Sequence, residues 1–117
     1  MEIIQEENKL TYVSTEECRG NFVIPSNIRC IGAFAFEGRT GLTFVEIPIT
    51  VEEIQVRAFF ACVNLKKVVI RNPTLKMGQY VFDTCFSLKE IYIPRGSLKY
   101  FLLQDSLKGF EKCLIEF

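Results

Sequence analysis

The sequence predicts an α/β repeat solenoid with about four parallel strands, one strand to a repeat. Alanine-phenylalanine or valine-phenylalanine pairs end at Phe36, Phe59 and Phe82, so the phenylalanines are 23 residues apart. Six residues after each of them stands a leucine, and five residues after that leucine stands an isoleucine. Apolar columns in register over three copies are typical of stacked repeats, each of which buries its apolar face against the next.

Each copy contains one short segment with strand-like alternation. These segments read VEI, VVI and IYI at 45–47, 68–70 and 91–93. Because side chains alternate along a strand, Val45 and Ile47 point to one face and Glu46 to the other. Prolines at 48 and 94 end two of the strands, since proline has no N–H for a further ladder bond. The segments around each phenylalanine pair suit a short helical or 3₁₀ turn.

The N-terminal segment differs from the repeats and is predicted to be a cap, which a solenoid needs to close its open core. EIIQEENKLTYVS indicates two short strands around a turn at 7–9.

The C-terminal segment also leaves the repeat pattern. The next phenylalanine pair is due at 104–105, where Gln104 and Asp105 stand instead. The spacing of the leucines in SLKYFLLQDSLKG predicts a helix with Ser97 as its N-cap and Gly109 as its C-terminal stop. CLIEF follows as a last short strand. We therefore predict one domain over 1–117, with an N-terminal cap at 1–21, repeats at 22–94 and a C-terminal cap at 95–117.

The repeats resemble those of BspA-like leucine-rich repeat proteins. The pattern I-P-x-x-V-x-x-I-G-x-x-A-F-x-x-C-x-x-L-x-x-V-x-I-P is met by IPSNIRCIGAFAFEGRTGLTFVEIP at 24–48 and again at 47–71 and 70–94. Arg39 replaces the cysteine in the first copy, and Gln55 stands where glycine is usual. The resemblance implies a right-handed leucine-rich-repeat stack with a parallel sheet on one side. It also implies adhesion or protein binding, a cell-surface or secreted location, and no catalytic residues.

Catalysis has little support in the residue types. The chain has no histidine, which removes the usual general base and the commonest metal ligand. The five cysteines stand at least 12 residues apart, so no C-x-x-C metal or redox motif exists. Cys62 and Cys85 lie one repeat apart, and we interpret them as buried structural thiols, with a disulfide as the alternative. We therefore predict no enzyme activity, no metal and no cofactor.

Charge and hydropathy limit the classes of partner. Fourteen basic residues balance fourteen acidic ones, so there is no electrostatic argument for nucleic acid. No apolar run approaches the roughly 20 residues of a membrane span, and no signal peptide is visible. The unpaired-looking cysteines favour a reducing compartment, whereas the family resemblance favours the cell surface, so the location stays open.

The outward strand positions form two rows that we predict to be a partner-binding face. One row is Phe44, Lys67 and Glu90, and the other is Glu46, Val69 and Tyr92. Exposed aromatic side chains among charges are typical of interfaces. The alternative is that Phe44 and Tyr92 pack locally.

Two functions fit these observations. The first is a non-catalytic protein-binding or adhesion module with a protein partner. The alternative is a structural or self-assembling unit, or a fragment of a longer surface array, which includes the possibility of a homo-oligomer.

Overall fold

The fold consists mainly of ten short strands. The computed structural model describes residues 1–117. In chain order they are β1 (Glu2–Ile4), β2 (Lys9–Tyr12), β3 (Gly20–Val23), β4 (Cys30–Ile31), β5 (Leu42–Ile47), β6 (Glu53–Ile54), β7 (Lys67–Ile70), β8 (Lys76–Met77), β9 (Glu90–Ile93) and β10 (Leu114–Glu116). One α-helix, α1 (Leu98–Leu102), and three 3₁₀ turns, Gln5–Glu7, Asp105–Leu107 and Glu111–Cys113, complete the regular structure.

The strands form two five-stranded sheets. The long-strand sheet has the order β3-β5-β7-β9-β10, and all its neighbours are parallel. The short-strand sheet has the order β1-β2-β4-β6-β8 and is parallel except for the antiparallel pair β1–β2. Parallel sheets and few helices are compatible with the predicted solenoid. The second sheet was not predicted, because strands of two residues are too short to show alternation.

The register of the long-strand sheet follows the sequence repeat. Its inward row pairs Phe22 with Val45, Val45 with Val68, Val68 with Ile91 and Ile91 with Leu114. Each partner lies 23 residues after the previous one. Strand pairing also includes Gly20 and Asn21 at one end and Leu114 to Glu116 at the other, so it extends into both segments that were predicted to be caps.

The core is one apolar cluster of 29 buried residues. Phe36, Phe59 and Phe82 are fully buried and form its central aromatic column. The C-terminal segment adds Phe101 and Leu107 to the cluster. The predicted core columns of the repeats are thus buried together.

The segments around the phenylalanine pairs form single turns with 3₁₀-type bonds, as from the Ala35 N–H to the Gly32 carbonyl, but no continuous helix. In every repeat two residues adopt a left-handed backbone conformation, first Phe34, Arg57 and Tyr80, then Gly38, Ala61 and Thr84. A left-handed residue breaks a right-handed helix. Other N–H groups of the same segments bond to the next repeat, as when the Phe36 N–H donates to the Ala58 carbonyl at 2.8 Å and the Phe59 N–H donates to the Val81 carbonyl at 3.0 Å.

The N-terminal strands are observed as predicted, but the C-terminal helix is much shorter. The helix ends at Leu102 instead of continuing to 109, and the Ser97 side chain makes no capping bond to it. Ser97 Oγ donates to the Pro94 carbonyl instead. After Leu102 the chain turns toward the edge of the short-strand sheet, where Ser106 Oγ accepts the Val81 N–H and donates to the Gly78 carbonyl.

Candidate functional site

The outer face of the long-strand sheet carries all six residues that were predicted to bind a partner. Phe44 pairs with Lys67 and Lys67 with Glu90, while Glu46 pairs with Val69 and Val69 with Tyr92. Parallel strands in register place these side chains in two adjacent rows. We call this surface the outer face.

A lysine links the two aromatic residues of the outer face. Lys67 Nζ lies 5.6 Å from the ring centre of Phe44 and 4.8 Å from that of Tyr92. Both distances are within the range of a cation–π contact. The two rings and the ammonium group therefore form one unit across β5, β7 and β9, and all three side chains are half-buried.

Arg71 and Phe117 belong to the same surface, but the sequence analysis did not predict them as part of it. Arg71 Nε lies 2.8 Å from Glu46 Oε2, and its guanidinium carbon lies 4.9 Å from the Phe117 ring centre. The Phe117 ring also meets Tyr92 edge to face at 6.3 Å. Counting in steps of 23 places Arg71, Pro94 and Phe117 in one column, which was a usable signal.

Val69 does not have the exposure that the prediction assumed. Its side chain lies in the outer row but is only 6% exposed. Val69 is on the central strand and has Glu46 on one side and Tyr92 on the other. These longer side chains and the adjacent Arg71–Glu46 ion pair cover the smaller valine, so Val69 offers a partner little surface.

A shallow depression of about 250 Å³ adjoins the outer face at β3. It is lined by Asn21, Phe22, Val23, Ile24, Phe44, Glu46 and Pro48. Val23 beside it is 83% exposed. The depression extends the outer face toward the first strand of the sheet with mainly apolar surface.

The other surface depressions are polar and open. The largest, about 590 Å³, includes Arg29, Glu52 and Glu53. Arg29 Nη1 lies 3.2 Å from Glu52 Oε2, whereas Glu53 Oε1 lies 3.9 Å from Cys30 Sγ. The adjacent glutamates thus engage different partners and do not form an acid–base pair.

The carboxylate of Glu17 has a lowered pKa. It accepts hydrogen bonds from the Met1 amino group and from Ser14. The hydrogen bond from the amino group, followed by the backbone bond from Ser14, lowers the pKa of Glu17 to about 2. Glu17 is exposed and lies outside the outer face, so the shift reflects a local ion pair.

All five cysteines are free thiols. Cys62 Sγ donates to the Phe36 carbonyl and Cys85 Sγ to the Phe59 carbonyl, both at 3.1 Å. Burial raises the pKa of Cys62 and of Cys85 to about 12. Each thiol therefore joins one repeat to the preceding one as a neutral donor. In the first repeat Arg39 takes this position, and its Nε donates to the Val13 carbonyl at 2.6 Å.

Two further properties bear on function. No group of three or more cysteine, aspartate or glutamate side chains is close enough to hold a metal ion. None of the helices has the length and apolar character that crossing a membrane requires.

Comparison with family models identifies the repeat. The model described as "BspA type Leucine rich repeat region (6 copies)" matches residues 11–114. The match starts before residue 22 and ends after residue 94, in line with the strand register at both ends. Comparisons with curated proteins and with solved structures gave no significant match.

Proposed function

Because the chain belongs to the BspA-type leucine-rich repeat family, we propose that it is a non-catalytic module that binds a protein partner, as in adhesion. We place the binding site on the outer face. The observation that carries this proposal is the Lys67 ammonium group held between the half-exposed rings of Phe44 and Tyr92. Aromatic and basic side chains of this kind are enriched at protein interfaces.

The finer architecture belongs to the same proposal. We propose a right-handed stack with a 23-residue period in one domain. The β1–β2 pair closes the N-terminal end, and α1 with the following 3₁₀ turns closes the C-terminal end. The supporting observations are the strand pairs one repeat apart and the two buried C-terminal residues, Phe101 and Leu107.

The absence of an enzyme activity is also part of the proposal. A catalytic site needs polar groups that converge in an enclosed pocket. Glu52 and Glu53 in the largest depression bind different neighbours, and the three buried thiols, Cys18, Cys62 and Cys85, have their pKa raised, which disfavours the reactive thiolate.

The size of the outer face indicates how a partner must approach. Five strands with a spacing of about 4.8 Å span about 19 Å, and a strand of five residues is about 17 Å long. The flat area of roughly 300 Å² is well below the 800 Å² or so that each partner buries in a standard interface. We therefore expect the partner to extend beyond the sheet, over the apolar depression beside Val23.

The charge pattern suggests the chemistry of the partner surface. Lys67 has no carboxylate partner, whereas Arg71 and Glu46 neutralise each other. A matching surface would place a carboxylate or a carbonyl near Lys67 and apolar groups against the rims of the Phe44 and Tyr92 rings.

Partner capture followed by affinity measurement tests the proposal. Immobilised chain would be used to isolate binding proteins from extracts of its host, and each purified candidate would then be titrated against the wild type and the Phe44→Ser and Tyr92→Ser variants. We expect about tenfold weaker binding for either variant. The matched control is Phe86→Ser, because Phe86 is 82% exposed and lies outside the outer face.

The stability of each variant decides how the binding result is interpreted. Phe44 and Tyr92 are half-buried, so their removal should leave a folded chain with a melting transition close to that of the wild type. Folded variants that bind with full affinity would refute a site on the outer face. A stronger effect of Phe86→Ser would place the site on the turns instead.

A further inference from the structure

Both edge strands of the long-strand sheet have an unpaired side, because β3 pairs only with β5 and β10 only with β9. In the short-strand sheet β1 is likewise an edge strand and pairs only with β2. The opposite edge of that sheet, at β8, is covered, since Ser106 and Tyr100 bond to the backbone at Gly78, Thr74 and Leu75. The C-terminal segment thus protects the β8 edge and leaves both edges of the long-strand sheet open to pairing.

The free backbone groups on these two edges are complementary. The Phe117 N–H donates to the Ile93 carbonyl. Because N–H groups alternate between the two sides of a strand, those of Leu114 and Glu116 point away from β9. The same register directs the N–H groups of Asn21 and Val23 away from β5. The next outward position is Pro25, which has no N–H, so the free β3 edge is two residues long.

The side-chain rows also match across the two edges. The outer row begins at Val23 and ends at Ile115, and the inward row begins at Phe22 and ends at Leu114. If β10 of one copy lies beside β3 of another in the same parallel register, Ile115 faces Val23 and Leu114 faces Phe22. Leu114 is the partly exposed end of an otherwise buried row, so this contact would complete its burial.

From these relationships we propose that a second copy of this chain binds end to end, with β10 of one copy pairing in parallel with β3 of the next. Such a contact joins two different surfaces, so it stays open at both ends and extends into short filaments rather than closing a dimer. The contact is small and includes few backbone bonds, so association is weak and becomes measurable only at high protein concentration. It uses the free backbone groups of β3 and β10 and is measured on the purified chain alone, so its outcome does not depend on the proposed partner binding, although both surfaces include Val23.

Light scattering or sedimentation of the purified chain at increasing concentration tests this proposal. We expect the mean mass to rise from the monomer value of 13.5 kDa and to pass twice that value without a plateau. Two double variants then test the pairing. Val23→Glu with Ile115→Glu brings two glutamates together and should remain monomeric, whereas Val23→Lys with Ile115→Glu creates an ion pair across the contact and should restore the rise in mass.

The two double variants are matched controls for folding, because they share Ile115→Glu and differ only at Val23, which is 83% exposed.

Three results would overturn the proposal. The first is a wild-type mass that stays at the monomer value up to millimolar concentration. The second is a plateau at the dimer mass, which would mean that identical edges pair. The third is equal behaviour of the two double variants, which would show that Val23 and Ile115 do not meet.

Discussion

The ring of Phe36 stacks on the ring of Phe59, with the centroids 4.6 Å apart and the planes inclined by 17°. Phe59 in turn stacks on Phe82 at 5.6 Å and 22°. Neither Phe36 nor Phe59 exposes any surface. The repeat thus brings one residue from each copy into a continuous aromatic column, and the middle ring has a neighbour on both sides.

Replacement of Phe59 by alanine should be among the most destabilising single changes. It removes a fully buried ring from the middle of the column, and the cavity between Phe36 and Phe82 cannot close easily. We expect a loss of about 3–5 kcal/mol in the free energy of unfolding, measured by denaturant titration. Phe86→Ala is the control and should change stability by less than about 0.5 kcal/mol, because Phe86 is 82% exposed. Similar losses for the two variants would contradict the core assignment.

Ser106→Ala tests the closure of the short-strand sheet. The hydroxyl accepts the Val81 N–H and donates to the Gly78 carbonyl. Alanine leaves both backbone groups without their partner in a buried place, which costs about 1–3 kcal/mol. Thermal unfolding measures this loss, with the exposed Ser26→Ala as a control that should unfold like the wild type. A neutral Ser106→Ala would mean that water replaces the hydroxyl.

Thr84→Gly should stabilise the chain. Thr84 has φ of 65°, a conformation that is unfavourable for a β-branched side chain and free of strain for glycine. Gly38, one of the equivalent turn residues, has φ of 66°. We expect Thr84→Gly to raise the free energy of unfolding by about 1 kcal/mol and the reverse change, Gly38→Thr, to lower it by a similar amount or more. The same sign for both changes would argue against backbone strain.

Stability should fall at alkaline pH because of the buried thiols. The pKa of Cys62 and of Cys85 is raised from the usual 9.0 to about 12 by burial, so only the unfolded chain releases these protons just above pH 9. The contribution of the two neutral thiols to the free energy of unfolding is complete below pH 9 and is lost as the pH rises from 9 to 12. Each thiol should contribute a loss of about 1.4 kcal/mol per pH unit in that range.

A double variant isolates the thiol contribution from that of other groups that titrate above pH 9. Cys62→Ala with Cys85→Ala should lower stability at every pH because it leaves small cavities. Its free energy of unfolding should nevertheless decrease less steeply than that of the wild type between pH 9 and 11. Parallel curves for the two proteins would show that the thiolates are tolerated in the folded chain.

The parts of the fold that follow from the 23-residue spacing could be predicted from the sequence. Phe36, Val45 and Ile47 recur at fixed distances, so their burial and their strand partners follow from the pattern alone. The family resemblance rests on the same columns and is confirmed by the match over residues 11–114. The pairing of the outer rows follows in the same way. Because side chains alternate between the two faces of a strand, the residues between the inward ones must point outward.

The features that were not predicted depend on contacts between residues far apart in the chain, which a local sequence pattern does not show. A strand as short as Glu53–Ile54 is stabilised by its neighbours and not by its own alternation. The exposure of Val69 depends on the length of the side chains beside it. The segment after the helix that starts at Leu98 is held by bonds from Ser106 to Val81 and Gly78, which lie 25 and 28 residues earlier in the chain.

The pairing of every inner strand with residues about one repeat away has a consequence for hydrogen exchange. Interactions reach only the neighbouring repeats, so the chain can open from its ends without disturbing the middle. The amide protons of β5 and β7 should then exchange most slowly, and those of β3 and β10, each bonded on one side only, should exchange fastest within the long-strand sheet. Exchange rates along the chain would therefore report how far opening of the stack has advanced from each end.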